Sequence, residues 1–201
     1  MLVKRAFDVA VSAVAVAVAA IPMALLALAI RLTMGSPVLF RQARPGLGGR
    51  PFTILKFRTM RSGDGPDAER LTRLGRFMRQ TSLDELPELL NVLRGDMSLV
   101  GPRPLLVAYL ERYSPEQARR HEVRPGLTGL AQVSGRNATT WDERLALDVE
   151  YVDTRSFVLD LRIIGRTVRA VLAREGIAAD DHATMPEFQG ENRDDPPADH
   201  R

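Results

Sequence analysis

The apolar segment Ala6–Ile30, near the start of the 201-residue chain, is the feature that most restricts the fold. As an α-helix it is about 37 Å long, which exceeds the ~30 Å hydrocarbon core of a bilayer. A secretory signal peptide is a poor fit, because the apolar run continues well past the cleavage-like Ala17-Val18-Ala19 and is too long for such a signal. The segment therefore predicts a membrane helix.

Two paths of this helix through the bilayer are compatible with the sequence. Pro22 removes one backbone hydrogen bond and clashes with the preceding turn, and it divides the helix into parts too short to span alone. A spanning helix tolerates such a kink. Cations flank both ends of the segment: Lys4, Arg5, Arg31, Arg41, Arg44 and Arg50. Their positions favour a cytoplasmic location for both ends, and hence a helix that enters the bilayer, bends at Pro22 and returns.

Composition excludes several kinds of active site. The chain contains no cysteine, so disulfides, thiolate zinc sites and cysteine nucleophiles are ruled out. The scattered histidines His121, His182 and His200 do not suggest a metal site or a Ser-His triad. Lys4 and Lys56 are the two lysines, and every other cation is arginine. Arginine suits phosphate recognition, although a GC-rich genome produces the same bias.

From Thr33 the pattern is that of a folded domain, and the predicted fold class is α+β: a small, mostly helical domain with short strands and interfacial amphipathic helices. We place the membrane helix at 1–32, the folded domain at 33–176 and a polar, disordered tail at 177–201. The last amphipathic helix could lie on an anionic membrane or face solvent. The predicted strands are Ser36–Phe40 and Phe52–Phe57, and the predicted helices are Leu71–Gln80, Leu83–Leu93, Pro104–Glu122, Trp141–Val152 and Phe157–Arg174.

Asp84 and Glu85 admit a purely structural interpretation. Ser82 and Glu85 have the spacing of a capping box, and Asp84 in a first helical turn suits the helix dipole. Pro87 is tolerated near a helix start, which places the N-terminus of the helix here.

The residues that follow favour a second interpretation. The segment continues to Gly101-Pro102-Arg103-Pro104, where a helix cannot persist and where the prolines fix the direction of Arg103. Helix amides and an arginine together attract phosphates. Mg²⁺ usually takes one or two protein carboxylates plus substrate oxygens, so Asp84 could hold the ion against a diphosphate. A carboxylate in such a site can also act as a nucleophile.

The chain resembles the monotopic phosphoglycosyl transferases, bacterial sugar transferases that begin the assembly of surface glycans. The resemblance covers about Lys4 to Ala173 and rests on ordered motifs, which together are specific: KRAFDVAVS before the apolar run, FRQARPGLGGRPFTILKFRTM, TSLDELPELLNVLRGDMSLVGPRP, RPGLTGLAQVSGR and LDVEYV.

The resemblance implies transfer of a phosphosugar from a nucleoside diphosphate sugar, usually UDP-linked, to undecaprenyl phosphate. Asp84 would attack the sugar-bearing phosphate to form a covalent phosphosugar-aspartyl intermediate, and would bind Mg²⁺. Glu85 would assist attack by the acceptor, as a base. Arg103 would hold a phosphate, and the resemblance implies four further phosphate ligands: Lys56, Arg58, Arg124 and Arg136. Asp148 matches a family carboxylate whose task is unassigned.

The resemblance also implies a re-entrant helix broken at Pro22, with the domain on the cytoplasmic face of the bacterial plasma membrane, in contact with membrane lipids. Glu88 stands where many relatives carry Gln and adds a negative charge one turn from Asp84. The oligomeric state is open, and a homodimer is one option. The main rival is a non-catalytic, membrane-tethered module whose arginines bind anionic lipid or nucleic acid. Aromatic residues are few and none interleaves with the arginine clusters, so no nucleic-acid partner is expected.

Overall fold

A computed structural model describes residues 2–134, 140–173 and 188–190 of the chain. It is a mixed helix-and-strand structure with a long apolar N-terminal helix, as the sequence predicted. Helices α1–α8 span Leu2–Met34, Asp67–Arg70, Arg73–Thr81, Glu88–Arg94, Pro115–Ala118, Leu130–Ser134, Trp141–Thr154 and Phe157–Leu172. Strands β1–β4 span Leu39–Pro45, Pro51–Phe57, Ser98–Val100 and Gly126–Thr128, and form an antiparallel pair β1-β2 and a parallel pair β3-β4.

Helix α1 is continuous through Pro22, where the missing N–H removes a single backbone hydrogen bond and the bonds on either side remain. The helix is not divided into two segments there, and the bend at Pro22 that a re-entrant path requires stays a prediction. The helix is long and apolar enough to cross a membrane. Large apolar side chains are exposed at alternating spacings of three and four residues and form one face: Val11, Val14, Val18, Ile21, Leu25, Leu28 and Leu32.

The N-terminal end of α1 is fastened to the folded domain by buried polar contacts. Asp8 is 2% exposed and accepts a 2.8 Å hydrogen bond from Ser98 Oγ in β3. Lys4 Nζ lies 3.3 Å from Asp8 Oδ1 and 2.8 Å from the buried Asp160 in α8. Arg5 donates to the backbone carbonyls at the end of α4. These contacts tie α1 to α4, β3 and α8.

The C-terminal end of α1 packs on the same domain. Ile30 is fully buried with Phe57 of β2 and Met78 of α3, and Met23, Leu26, Ala27 and Met34 pack around this cluster. The face of α1 opposite the exposed apolar stripe is therefore covered near both ends of the helix.

Asn91 joins α4 to the free edge of the β1-β2 hairpin. Its side-chain amide donates to Thr53 O at 2.7 Å, and its Oδ1 accepts from Leu55 N at 3.0 Å. The side chain is fully buried and satisfies backbone groups of β2 that would otherwise lack partners. This clamp fixes the distance between β2, which carries Lys56, and α4, which begins at Glu88.

The parallel pair β3-β4 brings two Gly/Pro-rich loops into backbone contact. A Cβ atom on Gly126 would lie 2.1 Å from Gly101 N, and one on Gly101 would lie 2.3 Å from Arg124 O. Real Cβ atoms do not approach so closely, so both positions require glycine. The crossing places Pro102 and Arg103 directly after β3.

Several predicted element bounds are corrected by the structure. The first strand spans Leu39–Pro45 rather than Ser36–Phe40, so it begins and ends later than predicted. The single helix predicted over Pro104–Glu122 is instead a 3₁₀ turn (Val107–Arg112), the short α5 and a second 3₁₀ turn (Arg119–Glu122). The cause is Ser114-Pro115: the residue before a proline disfavours helical dihedrals, and Ser114 begins α5 with a capping box.

The predicted disordered tail lies outside the described residues, apart from Phe188–Gly190, which are packed rather than extended into solvent. Phe188 is 2% exposed and contacts the rings of Tyr109, Tyr113 and Trp141. Its backbone N–H donates to Tyr109 Oη, and Arg112 donates to its carbonyl. An apolar residue in a polar tail gave too weak a signal for this docking to be predicted.

Helix α8 has an exposed apolar face formed by Phe157, Leu161, Val168 and Val171.

The loop crossing generates a stability prediction. Gly126→Ala should lower the free energy of unfolding by about 3 kcal/mol or more, because the new methyl group meets backbone that cannot yield. The matched control is Gly165→Ala in α8, where nothing lies within 4 Å of the added Cβ; it should stabilise by about 0.5–1 kcal/mol. Thermal unfolding of the detergent-solubilised variants measures both, and equal behaviour of the two would contradict the close crossing.

Candidate active site

Asp84 and Glu85 lie on a 3₁₀ turn, Leu83–Glu85, between α3 and α4. Ser82, which ends α3, adopts a left-handed conformation with φ 56° and ψ 18°. Left-handed backbone is unfavourable for a residue other than glycine and is concentrated at functional sites. The Ser82 side chain makes no capping hydrogen bond, and the Glu85 carboxylate contacts cations instead of the Ser82 N–H. The capping-box interpretation is therefore wrong.

Glu85 bridges two cations that are distant in the sequence. Its Oε1 lies 2.7 Å from Lys56 Nζ of β2 and also accepts a hydrogen bond from the guanidinium of Arg103. Burial alone would raise the pKa of Glu85, but Arg103 and Lys56 outweigh it and hold that pKa well below its ordinary value. Reciprocally, Glu85 raises the pKa of Arg103. Glu85 is therefore an anion at any physiological pH and a weak proton acceptor.

Asp84 lies beside this ion-pair cluster in a different electrostatic state. Its side chain is mostly buried, with 9% of the residue exposed. Burial raises the pKa of Asp84, the Glu85 carboxylate raises it further, and Lys56, Arg79 and Arg103 partly offset the rise. A carboxylate with a raised pKa is more basic and more nucleophilic than an ordinary aspartate. The adjacent residues Asp84 and Glu85 thus differ: Glu85 is held by cations, and Asp84 is desolvated.

Arg103 is held from behind by a buried ion pair. Arg120 donates to the Arg103 carbonyl at 2.7 Å and makes two hydrogen bonds, of 3.0 and 2.6 Å, to Asp148 Oδ2. Arg120 and Asp148 are each 2% exposed. Asp148 therefore supports the backbone at Arg103 through Arg120. Sequence reasoning missed Arg120, because an arginine next to another in an Arg-rich chain carries no local signal.

The other predicted phosphate ligands are not all brought to this place. Lys56 is in the cluster. Arg58 instead donates to the carbonyls of Met34, Gly35 and Ser36, at the junction of α1 and β1. Arg124 donates to Gly95 O, at the end of α4 opposite to Glu88. Arg136 lies outside the described residues. Arg44 is a cation near the cluster that the sequence did not identify as a phosphate ligand: burial lowers its pKa most, Arg103 lowers it further, and Glu88 raises it.

The donor set limits how a divalent ion could be held. Within the described part of the chain, no group of three or more His, Cys, Asp or Glu side chains could surround a metal. Glu85 is engaged by two cations and Glu88 faces Lys56, so Asp84 is the carboxylate of this cluster that we expect to bind an ion. A single protein carboxylate fits Mg²⁺ that keeps several waters and takes further ligands from a diphosphate.

Comparison with known proteins identifies the family. The model of the bacterial sugar transferase family matches residues 1–174. EpsL, an uncharacterised sugar transferase of Bacillus subtilis (strain 168), is 52% identical over 196 residues, covering 94% of this chain and 97% of its own length. A UDP-glucose:undecaprenyl-phosphate glucose-1-phosphate transferase of Caulobacter vibrioides is 50% identical over 188 residues, covering 86% of this chain and 70% of its own. A protein of the same name from Escherichia coli (strain K12) is 38% identical over 183 residues, covering 83% of this chain and 39% of its own length.

The chain belongs to the bacterial sugar transferase family. The predicted family is thereby confirmed, and so is the prediction that this protein is a transferase enzyme. The rival interpretation as a non-catalytic Arg-rich module is not supported.

The buried Arg120–Asp148 pair yields a prediction about the frame of the site. Arg120→Met should destabilise the protein by about 3–5 kcal/mol, because it leaves the Asp148 charge buried without its partner. The double variant Arg120→Met/Asp148→Leu should be clearly more stable than Arg120→Met alone, since no uncompensated charge remains. A double-mutant cycle by thermal unfolding measures the coupling. Additive effects would show that the two side chains do not stabilise each other.

Proposed function

We propose that the protein transfers a phosphosugar from a nucleoside diphosphate sugar, UDP-linked by analogy with its relatives, to undecaprenyl phosphate, as the first membrane step of surface glycan assembly. The observation that carries the proposal is the pairing of a buried, basic Asp84 with cations held by Glu85 on its flank. Support comes from the named activities of the relatives in Caulobacter vibrioides and Escherichia coli.

The proposed chemistry has two displacements at phosphorus. An Asp84 oxygen attacks the phosphorus that bears the sugar, the bond from that phosphorus to the bridging oxygen breaks, and UMP leaves with the electron pair. A phosphate oxygen of undecaprenyl phosphate then attacks the same phosphorus, which releases the Asp84 carboxylate and gives undecaprenyl diphosphate sugar. Lys56 and Arg103 lie where they can neutralise the diphosphate in both steps.

We propose for Glu85 a different task from that of a base, which the resemblance implied. The acceptor is already an anion and needs no proton removed before it attacks, and a carboxylate held by two cations is a weak base. We therefore assign Glu85 to holding Lys56 and Arg103 in position. Mg²⁺, when bound by Asp84, would add charge neutralisation on the diphosphate.

We also propose that α1 is re-entrant, with the catalytic domain on the cytoplasmic face of the membrane. Residues near both ends of α1 are buried against the same domain, Asp8 at one end and Ile30 at the other. A helix that crossed the bilayer would carry its two ends to opposite sides, away from at least one of these contacts. The exposed apolar faces of α1 and α8 are the surfaces that we expect to contact membrane lipids.

The proposed reaction predicts release of UMP. Detergent-solubilised protein with Mg²⁺, undecaprenyl phosphate and a panel of UDP-sugars should release UMP with at least one donor. Asp84→Asn should reduce the rate by at least about a thousandfold while leaving the melting temperature close to the parent value. Asp64→Asn, in an exposed loop, is the matched control and should retain the parent rate. Full activity of Asp84→Asn would remove the nucleophile assignment, and full activity in excess EDTA would remove the metal.

The proposed topology can be tested because the chain has no native cysteine. Leu2→Cys and Leu32→Cys place single exposed thiols near the two ends of α1, and Asp64→Cys reports the side of the domain. In intact cells an impermeant maleimide should label none of them, and permeabilisation should expose all three. Labelling of Leu2→Cys alone in intact cells would establish a spanning helix instead.

A further inference from the structure

Glu88, the first residue of α4, is a carboxylate in the cluster to which the proposed reaction gives no task. Its side chain is 2% exposed, and its Oε1 lies 3.1 Å from Lys56 Nζ. The same ammonium lies 2.7 Å from Glu85 Oε1. Oε1 of Glu88 accepts no hydrogen bond from any residue that the structure describes. One lysine thus faces two carboxylates, and the hydrogen bond goes to Glu85.

The groups around Glu88 come from every side of the cluster. Lys56 faces it from β2, Arg44 from β1, Arg103 from the loop after β3, and Glu85 from the preceding turn. The charged residues that α1 directs toward α4 lie at the far end of that helix, where Arg5 contacts Val92 O and Leu93 O. The strands β3 and β4 carry no charged residue.

The protonation of Glu88 changes with pH near neutrality. The pKa of Glu88 is raised to about 7: burial raises it most, Lys56 and Arg103 lower it, and Glu85 raises it further. At a pH below this pKa Glu88 is neutral, and Lys56 is free to pair with Glu85 and with the phosphates of a bound donor. Above it, a second buried negative charge competes for the same ammonium.

We propose that Glu88 acts through Lys56 as a positioning residue that competes with Glu85 for the ammonium and so makes binding of the anionic donor depend on pH. This inference rests on the proposed function, because it concerns the nucleoside diphosphate sugar of that reaction. The ionised Glu88 weakens the field that attracts the diphosphate and draws Lys56 toward α4. Bound donor, as an anion, favours the protonated carboxyl.

The direction of the linkage follows from these charges. The diphosphate of a UDP-sugar does not titrate near neutral pH, so any proton exchanged on binding comes from the protein. At a pH above the pKa of Glu88, donor binding requires either that Glu88 take up a proton from solvent or that the anionic donor bind beside an ionised Glu88. Donor affinity therefore falls as pH rises, by up to about tenfold per pH unit, and binding is accompanied by proton uptake.

The test is titration calorimetry of UDP-glucose and UDP-galactose in Mg²⁺, in buffers of different ionisation enthalpy. The protein carries Asp84→Asn so that the donor is not consumed, and it is compared with Asp84→Asn/Glu88→Gln. We expect the first protein to take up a fraction of a proton per donor at about pH 7.5, with Kd rising between about pH 6.5 and 8.5. The Glu88→Gln protein should show neither effect. Glu150→Gln, on an exposed carboxylate of α7, is the matched control and should keep both.

The outcomes separate this proposal from the proposed function. Equal proton uptake with and without Glu88 would overturn the role of Glu88 and leave the reaction standing. If no UDP-sugar binds either the folded Asp84→Asn protein or the parent protein at any pH, the proposed donor class fails, and the Glu88 proposal fails with it. Should Glu88→Gln not fold, Lys56→Met in the Asp84→Asn protein takes its place. Removing the shared ammonium should reduce the proton uptake at about pH 7.5, and an unchanged uptake would contradict the proposal.

Discussion

The bridge from Lys56 through Glu85 to Arg103 is the interaction on which the rest of the site depends. It joins β2, the turn after α3 and the loop after β3, which are distant in the sequence. Because Glu85 is ionised and doubly paired, the two cations keep fixed positions beside Asp84. Asp84 is left desolvated, and its pKa is raised. Two adjacent carboxylates thereby acquire opposite properties from their surroundings alone.

Each end of this bridge is held by a separate structural device. Asn91 clamps α4 to β2 and sets the position of Lys56. Contact between Gly101 and Gly126 fixes the direction in which the chain leaves β3, and Arg120 with Asp148 holds the Arg103 carbonyl. The Asp8–Ser98 hydrogen bond attaches α1 to β3, three residues before Gly101, where that crossing begins. The apolar helix α1 and Arg103 are thus both attached to one short strand, so the position of the helix and that of the candidate site are structurally linked.

Local sequence patterns predicted some of this architecture and not the rest. The helices Trp141–Thr154 and Phe157–Leu172 follow apolar periodicity, and the predicted bounds are nearly those observed. The helix predicted over 104–122 was wrong because Ser114-Pro115 outweighs the spacing of apolar residues. Asp84, Glu85 and Arg103 were singled out from one continuous motif. Arg120 was not, since its partner lies 28 residues away. Arg58 and Arg124 were assigned by resemblance, and here they bind backbone carbonyls at other places.

The central claim is that a desolvated Asp84 forms a covalent bond to the phosphosugar. Intact-protein and peptide mass spectrometry, after an acid quench of protein mixed with the UDP-sugar donor and Mg²⁺ but no lipid acceptor, tests it most directly. The account predicts a mass increase equal to one phosphosugar, located on the peptide that contains Asp84 and lost when undecaprenyl phosphate is added. An adduct on a different side chain, or full turnover by direct displacement with no adduct at any time, would contradict it.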